Sequence, residues 1–388
     1  MSVEPNLYIG MLSGTSRDGV DTVLVRFGPE KPEVLESLCV AYPPELAQSL
    51  RQLIERRHRP ANDEMQSTDR ELAEFFSLVA WDLLNRACVS PGEVTAIGSH
   101  GQTVWHNPTR LNPETLQLGD PQRIADLSGI KTVGNFRQAD LRAGGQGAPL
   151  APLLHKALLK PEEGVRAVLN IGGIANISLI EAGGKVSGYD TGPGNCLLDG
   201  WIHKHHAKNY DASGAWAEGG SVDRKLLDLL LDDPYFTMPA PKSTGVEYFN
   251  LHWLQSRLAE VARETKPAMP TENLPQSPQD IQATLSEFTA LTVAEAVLNS
   301  AAKDLLICGG GMHNTDLINR LRRLLPHTPI SSTVEHGIEP DLMEGILFAW
   351  LARERLATRK LDTRLITGAK EPVMLGDVFV PAQETVTS

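Results

Sequence analysis

Positive charge, paired cysteines and long apolar runs are scarce in this sequence, and each shortage removes a class of function. Lys and Arg number 36 against 48 Asp and Glu, a formal net charge of -12. An acidic surface repels nucleic-acid phosphates and anionic lipid, so neither is expected as a partner. A nucleotide is not excluded, because local backbone N–H groups and a divalent cation hold phosphates whatever the net charge. The cysteines are Cys39, Cys88, Cys196 and Cys308, with no CxxC pair, which leaves zinc knuckles and thioredoxin chemistry without support. Scattered single cysteines in a large acidic chain read as reduced and mostly buried. No apolar run is long enough to span a bilayer, and the opening MSVEPNLYIG has neither a basic nor an apolar signal region. A cytoplasmic protein is therefore expected.

The familiar nucleotide signatures are missing as well. Gly183 to Val186 reads GGKV, without the Ser/Thr or the spacing of a Walker A loop. No GxGxxG opens a helix after a strand, and no HRD or DFG motif occurs. P-loop, Rossmann and protein-kinase chemistries drop out.

What is present is an α/β pattern told twice. A length of 388 residues favours two domains over one. Leu7 to Leu12 and Thr22 to Phe27 predict two strands joined by the bend GTSRDGVD. Helical spacing follows at Pro44 to Arg57 and Asp69 to Cys88, with Leu72, Phe75, Phe76, Val79 and Leu83 on one face. Thr95 to Ser99 predicts a strand leading into HGQTVWH, Ile124 to Leu127 a helix, Lys131 to Gly134 a strand, and Pro152 to Leu159 a helix. Ala167 to Ile180 repeats the opening theme as strand, Gly/Asn bend, strand. Val186 to Tyr189 predicts a strand, Leu197 to His205 a helix, Ile281 to Ala301 a long helix, and Asp304 to Cys308 a strand before GGGMHN. A last helix is expected over Asp341 to Leu356. The proline-rich stretch Glu264 to Asp280 reads as a surface loop. Glu162 to Gly164 is the expected boundary, giving an N-terminal lobe of 1–163, joined by the C-terminal 341–388, and a C-terminal lobe of 164–340.

Three glycine-rich bends each follow an apolar strand: Gly14-Thr15-Ser16, Gly172-Gly173 and Gly309-Gly310-Gly311. Glycine lets backbone N–H groups approach an anion closely, so these bends are candidate phosphate cradles. In the first, Asp18 either faces a γ-phosphate and holds Mg²⁺ through water or only fixes the turn, and Asp21 has the same two roles open to it. Asp190, before Thr191-Gly192-Pro193-Gly194-Asn195, suits a general base at a cleft mouth or a cap for the helix that follows; spacing does not choose. His100 and His106 flank GQTVW and read as packed or surface residues, with a catalytic role the weaker alternative, while His203, His205 and His206 point different ways and read as solvated surface. Met343, Ile346, Leu347 and Trp350 form a core stripe. Glu344 within it reads either as a helix-dipole partner or as a site residue.

Taken in order, GMLSGTSRDGVD, GSHGQTVWHNP, ADLRAGGQGAPLAP, VLNIGGIANIS, GYDTGPGN, PKSTGVEYFN, DIQATL, CGGGMHN and MEGILFAWLA resemble the anhydro-N-acetylmuramic acid kinases, from about Leu7 to TGAKEPVMLG. The resemblance implies a two-lobed actin-like ATPase of ribonuclease H-like topology, with nucleotide and sugar in an inter-lobe cleft. It implies ATP and Mg²⁺ as cofactors, an anhydro-sugar substrate, a homodimer and a role in cell-wall recycling. By matched motif, Gly14, Thr15, Ser16, Arg17, Asp18, Gly19, Val20 and Asp21 form the ATP phosphate loop. Gly309 to Gly311 fall on the adenosine side, and Asp190 is the base. Arg137, Gln146 and Glu344 are candidate sugar contacts by position near matched motifs.

The substrate then dictates the chemistry implied. The anhydro ring ties O6 to the anomeric carbon, so water must open it while O6 takes the phosphoryl group, and lobe closure would limit idle ATP hydrolysis. Arg17 stands where Leu or Met is usual, and Asn135 where Asp is usual. Another sugar or carboxylate kinase of the same superfamily is the alternative reading. A nucleotide-gated binding protein is disfavoured, because the sequence after the last helix leaves no room for a second module.

Overall fold

A computed structural model describes residues 6–14, 19–29, 31–54, 58–107, 113–265 and 277–382. Among these residues lie twelve strands. The first six are β1 (Leu7–Ser13), β2 (Gly19–Arg26), β3 (Glu33–Ala41), β4 (Val94–Asn107), β5 (Glu114–Leu118) and β6 (Thr132–Gly134). The others are β7 (Val165–Ile171), β8 (Ile174–Glu181), β9 (Val186–Pro193), β10 (Asp304–Cys308), β11 (Ile330–Ser332) and β12 (Asp377–Phe379). The chain divides into two compact units, Met1–Leu154 with Leu342–Ser388, and His155–Asp341. The division falls inside the helix Ala151–Leu159.

Each unit repeats one topology. In the first the strand order is β12-β6-β4-β1-β2-β3, with β5 added beside β4; in the second it is β11-β10-β7-β8-β9. Both open with a three-strand antiparallel meander and then add parallel strands beside the first one. The parallel additions require helical crossovers. This duplicated order is the ribonuclease H-like arrangement of actin-like ATPases.

In the first unit, β1 is buried on both faces, as a strand between two helical layers must be. Ile9 and Met11 belong to a core that includes Leu72, Phe76 and Leu83 of the helix Asn62–Ala87. On the sheet the helix Met343–Leu356 comes unusually close. Gly10 of β1 pairs with Gly98 of β4. A Cβ on Gly10 would lie 1.8 Å from the Gly345 carbonyl oxygen, and one on Gly98 2.0 Å from that of Phe348. The two adjacent glycines form a shelf on which the helix backbone itself rests. In the second unit, one core lies between the sheet and the helices Pro278–Ser300 and Thr315–Leu324. Another is wholly helical, from Cys196–His206, Arg224–Leu231, Leu251–Thr265 and Pro278–Ser300. No helix among the described residues is long and apolar enough to cross a membrane.

Several boundaries differ from the sequence reading. The strand expected to end at Ser99 continues to Asn107, with Gln102, Val104 and His106 buried in alternation and β5 paired alongside. Four strands went unread, among them the three-residue β11, which pairs only with β10. β3 is a half-exposed edge with a weak pattern, while β5 and β12 are short and exist only by pairing with β4 and β6. The second helix starts at Asn62, where Glu64 accepts from the Ala61 N–H at 2.9 Å. Asp69, the expected start, instead accepts from Gly119 N–H at 2.6 Å. The expected loop 264–280 is shorter at both ends, since helices take Thr265 and Pro278; its middle lies outside the described residues.

Candidate active site

Three sequence-marked features of the second unit meet at one edge of its sheet. β10 is parallel to β7, and β9 is antiparallel to β8, which is antiparallel to β7. The three strands β7, β9 and β10 therefore run the same way and end on the same side. Gly172-Gly173 follows β7, Gly309-Gly310-Gly311 follows β10, and Asp190 lies near the end of β9. Ligands in open α/β sheets gather outside the carboxyl ends of strands.

The glycines are fixed by close approach. Gly309 adopts φ +80, and a Cβ there would lie 2.4 Å from Asn170 Oδ1. One on Gly311 would lie 2.3 Å from Ile171 Cγ2. Both are therefore pressed against the end of β7. Gly310 differs: a Cβ there would meet no atom of the described residues within 4 Å. Gly310 is exposed, so that side of the turn faces open solvent. The carbonyls of Gly172 and Gly173 accept from the N–H groups of Asn195, Gly194 and Cys196, tying the bend to the start of the helix Cys196–His206.

Asp190 is 5% exposed and sits within β9, one residue beyond the expected strand end. Asn176 faces Asp190 and Ala175 faces Gly192, so Thr191 is an extra residue, a bulge. Bulges re-aim neighbouring side chains and cluster near functional sites. The Thr191 hydroxyl donates to the Ala175 carbonyl at 3.2 Å, holding the bulge. The helix Cys196–His206 is preceded by Asn195 at its cap position, so Asp190 is not its cap. Instead its Oδ2 accepts from the Ser243 hydroxyl at 3.0 Å and the Thr244 N–H at 2.9 Å.

A second ring of contacts holds the Asp190 backbone. Its N–H donates to the Lys242 carbonyl at 3.1 Å, and its carbonyl accepts from the Tyr235 hydroxyl at 2.5 Å. Burial, then the nearby Asp190 charge, pushes the Tyr235 phenol far up, so it stays a donor. The Lys242 ammonium donates to the carbonyls of Tyr235 and Phe236 at 3.0 and 3.3 Å and lies over the Tyr235 ring. Burial pulls its pKa down, while Glu295 and Asp190 act the other way. Beneath lies Asp233, which accepts from Tyr235 N–H, the Tyr248 hydroxyl, the Trp253 indole and Arg257. Burial alone would raise this carboxyl, but the four donors outweigh it and hold the pKa below the usual value. Sequence reasoning gave none of Asp233, Tyr235, Lys242, Ser243 and Thr244 a role. The one signal was the stretch PKSTGVEYFN, whose contact with Asp190 is purely tertiary.

In the first unit, Gly14 follows β1, and the Ser13 hydroxyl donates to Gln102 at 2.6 Å. Thr15, Ser16, Arg17 and Asp18 lie outside the described residues, and with them the phosphate-loop and water-bridged metal assignments. Gly19 and Val20 belong to β2: a Cβ on Gly19 would lie 2.3 Å from the Val40 carbonyl oxygen, and the Val20 side chain is in the core. Asp21 pairs with Leu12 in the β1–β2 hairpin.

Arg137 follows β6 and opens the short helix Gln138–Arg142. Burial, then the Arg137 charge, holds His100 well below its usual pKa and His106 down to about 3, so both imidazoles are neutral. Gln146 lies in a loop clasped by the wholly buried Asp140, whose carboxylate accepts from Thr363, Thr367 and Gly147 N–H at 2.6, 2.7 and 2.8 Å. Asn135 sits at φ 56 and donates to Asp377 at 3.2 Å, a bond a carboxylate at that position would replace with repulsion. Glu344 is in the first turn of the helix Met343–Leu356, half-buried, between the core residues Met343 and Ile346. The histidines at 203, 205 and 206 are exposed, and no group of three metal-binding side chains occurs among the described residues.

Residues 6–381 match the family model described as anhydro-N-acetylmuramic acid kinase. The chain belongs to this family. An anhydro-N-acetylmuramic acid kinase from Xylella fastidiosa is 44% identical over 96% of each chain. One from Saccharophagus degradans is 41% identical over 98% of this chain and all of its own. Among solved structures, the activator of the 2-hydroxyisocaproyl-CoA dehydratase from Clostridium difficile with bound ADPNP aligns over 92% of this chain and 99% of its own. Its identity is 12% and its TM-score 0.44, too loose a likeness to carry a functional argument.

Proposed function

We infer that this protein is an ATP-dependent kinase that opens 1,6-anhydro-N-acetylmuramic acid with water and phosphorylates O6, giving N-acetylmuramic acid 6-phosphate and ADP in peptidoglycan recycling. The observation that carries it is a family match over residues 6–381, in which the Asp of GYDTGPGN is a buried carboxylate at the sheet edge shared by two glycine bends.

Asp190 takes a proton from water as the water oxygen bonds to the anomeric carbon. The C1–O6 bond breaks, and the freed O6 bonds to the γ-phosphorus while the bond to ADP breaks. One general base contributes about 10²–10⁴-fold to such a step. Gly310, open on the side a Cβ would take, suits the nucleotide, and Gly172-Gly173 contributes backbone at the same edge. Gly14 to Asp21 complete the phosphate loop by matched motif, and Arg137, Gln146 and Glu344 are the sugar contacts. By matched motif Asp18 would hold Mg²⁺ through water, in keeping with the few protein carboxylates that Mg²⁺ sites beside phosphates generally use. When bound, Mg²⁺ neutralises charge building on the transferring phosphoryl group. A cytoplasmic homodimer belongs to the same proposal and rests on the family resemblance.

Turnover in ¹⁸O-labelled water checks both halves of the reaction by mass spectrometry. The expected product carries label at C1 and an unlabelled phosphate on O6; label in the phosphate, or an unlabelled sugar, would refute the scheme. Gly310→Ala tests the nucleotide position. Because its Cβ meets nothing in the free protein, the melting temperature should stay within about 2 °C while the KM for ATP rises about tenfold. An unchanged KM would remove Gly310 from the nucleotide site.

A further inference from the structure

We propose that Ser243 is a positioning residue for the reaction, orienting the Asp190 carboxylate and keeping it ionised through a hydroxyl-to-Oδ2 hydrogen bond. This rests on the assignment of Asp190 as the base. Two donors meet one carboxylate oxygen, the Ser243 hydroxyl at 3.0 Å and the Thr244 N–H at 2.9 Å. Fixing one oxygen from two directions stops rotation of the carboxylate and sets the direction of the other oxygen. Donors to the charged form also favour that form, which a base requires.

The segment that delivers Ser243 is itself anchored. The Lys242 carbonyl accepts the Asp190 N–H, and the Lys242 ammonium is held on the carbonyls of Tyr235 and Phe236. The Tyr235 hydroxyl closes the circuit on the Asp190 carbonyl. Asp190 is thus gripped at its N–H, its carbonyl and its carboxylate by residues 235–244. Ser243 is 7% exposed, so no bulk water stands ready to replace its hydroxyl.

Other groups around the carboxylate remain when Ser243 is changed, among them the Lys242 ammonium on the same segment and the neutral Tyr235 phenol on the helix Pro234–Thr237. Glu295 on the helix Pro278–Ser300 acts on both Lys242 and Tyr189. From β8 the facing residue is Asn176, which does not titrate. Removing only the hydroxyl takes away one donor to the charged form, so the acidic limb of the kcat profile is expected to move to higher pH.

Ser243→Ala, Ser243→Thr and Asp190→Asn test this in steady-state assays across pH, with thermal unfolding alongside. Ser243→Ala should lower kcat about tenfold and shift the acidic limb up by about one pH unit, with the KM for ATP unchanged. Ser243→Thr, which keeps the hydroxyl, should recover most of kcat and the original limb. A loss caused by general loosening would lower the melting temperature and leave the limb in place, which would overturn the proposal. Wild-type kcat and limb in Ser243→Ala, beside an inactive Asp190→Asn, would also overturn it while leaving the base assignment standing. An active Asp190→Asn variant would remove the base assignment itself.

Discussion

Asp190→Asn is expected to keep ATP and sugar binding and to lose about 10²–10⁴-fold in kcat. The substitution is nearly isosteric, and its amide oxygen still accepts from the Ser243 hydroxyl and the Thr244 N–H that now hold Oδ2. Those donors therefore orient the side chain with its NH₂ group where the basic oxygen was. The main-chain bonds to Lys242 and Tyr235 do not involve the side chain and persist. What is lost is the lone pair that takes the proton. Calorimetric titration of each ligand, set beside kcat, makes the measurement; near-normal turnover would refute Asp190 as the base.

A large effect on stability is expected at Gly98. In Gly98→Ala the new Cβ would lie 2.0 Å from the Phe348 carbonyl oxygen and 2.7 Å from its carbon. Both are main-chain atoms in the middle of the helix Met343–Leu356, so no side-chain rotation relieves the clash. The helix must lift from β1 and β4, exposing Met343, Ile346, Leu347 and Ala349, which are almost wholly buried. Overpacking a core costs about 1–3 kcal/mol where side chains give way, and here the yielding part is a helix backbone. A loss of about 3 kcal/mol or more is expected, read as a fall in the unfolding midpoint. Gly92→Ala is the control, since its Cβ would meet nothing within 4 Å. A Gly98→Ala protein as stable as that control would show that the helix does not depend on the glycine shelf.

Much of the fold was legible because its strands are apolar and its bends are glycine-rich. LYIGMLS and AVLNI announce themselves by pattern. Most of the failures share one cause, which is weak local signal made good by pairing. The edge strand β3 carries charges and half-exposed side chains, and β12 spans only Asp377–Phe379. The strand β4 runs on through HGQTVWH, where Thr103, Val104 and Trp105 favour extension and β5 supplies the partner.

At the candidate site, the sequence by itself determined the family and marked Asp190 and the glycine bends. Those depend on residue identity at fixed spacing, and a chain carries spacing without folding. Only the tertiary structure decided that Gly172-Gly173, Gly309 to Gly311 and Asp190 share one sheet edge. That follows from strand direction, which no local pattern specifies. It also decided what Asp190 touches. Ser243 and Thr244 are more than fifty residues away in the chain and reach its carboxylate because Asp233, Tyr235 and Lys242 fold the segment back under it. A hydrogen bond depends on distance and angle in space, and that geometry is set by the packed fold, not by the order of letters.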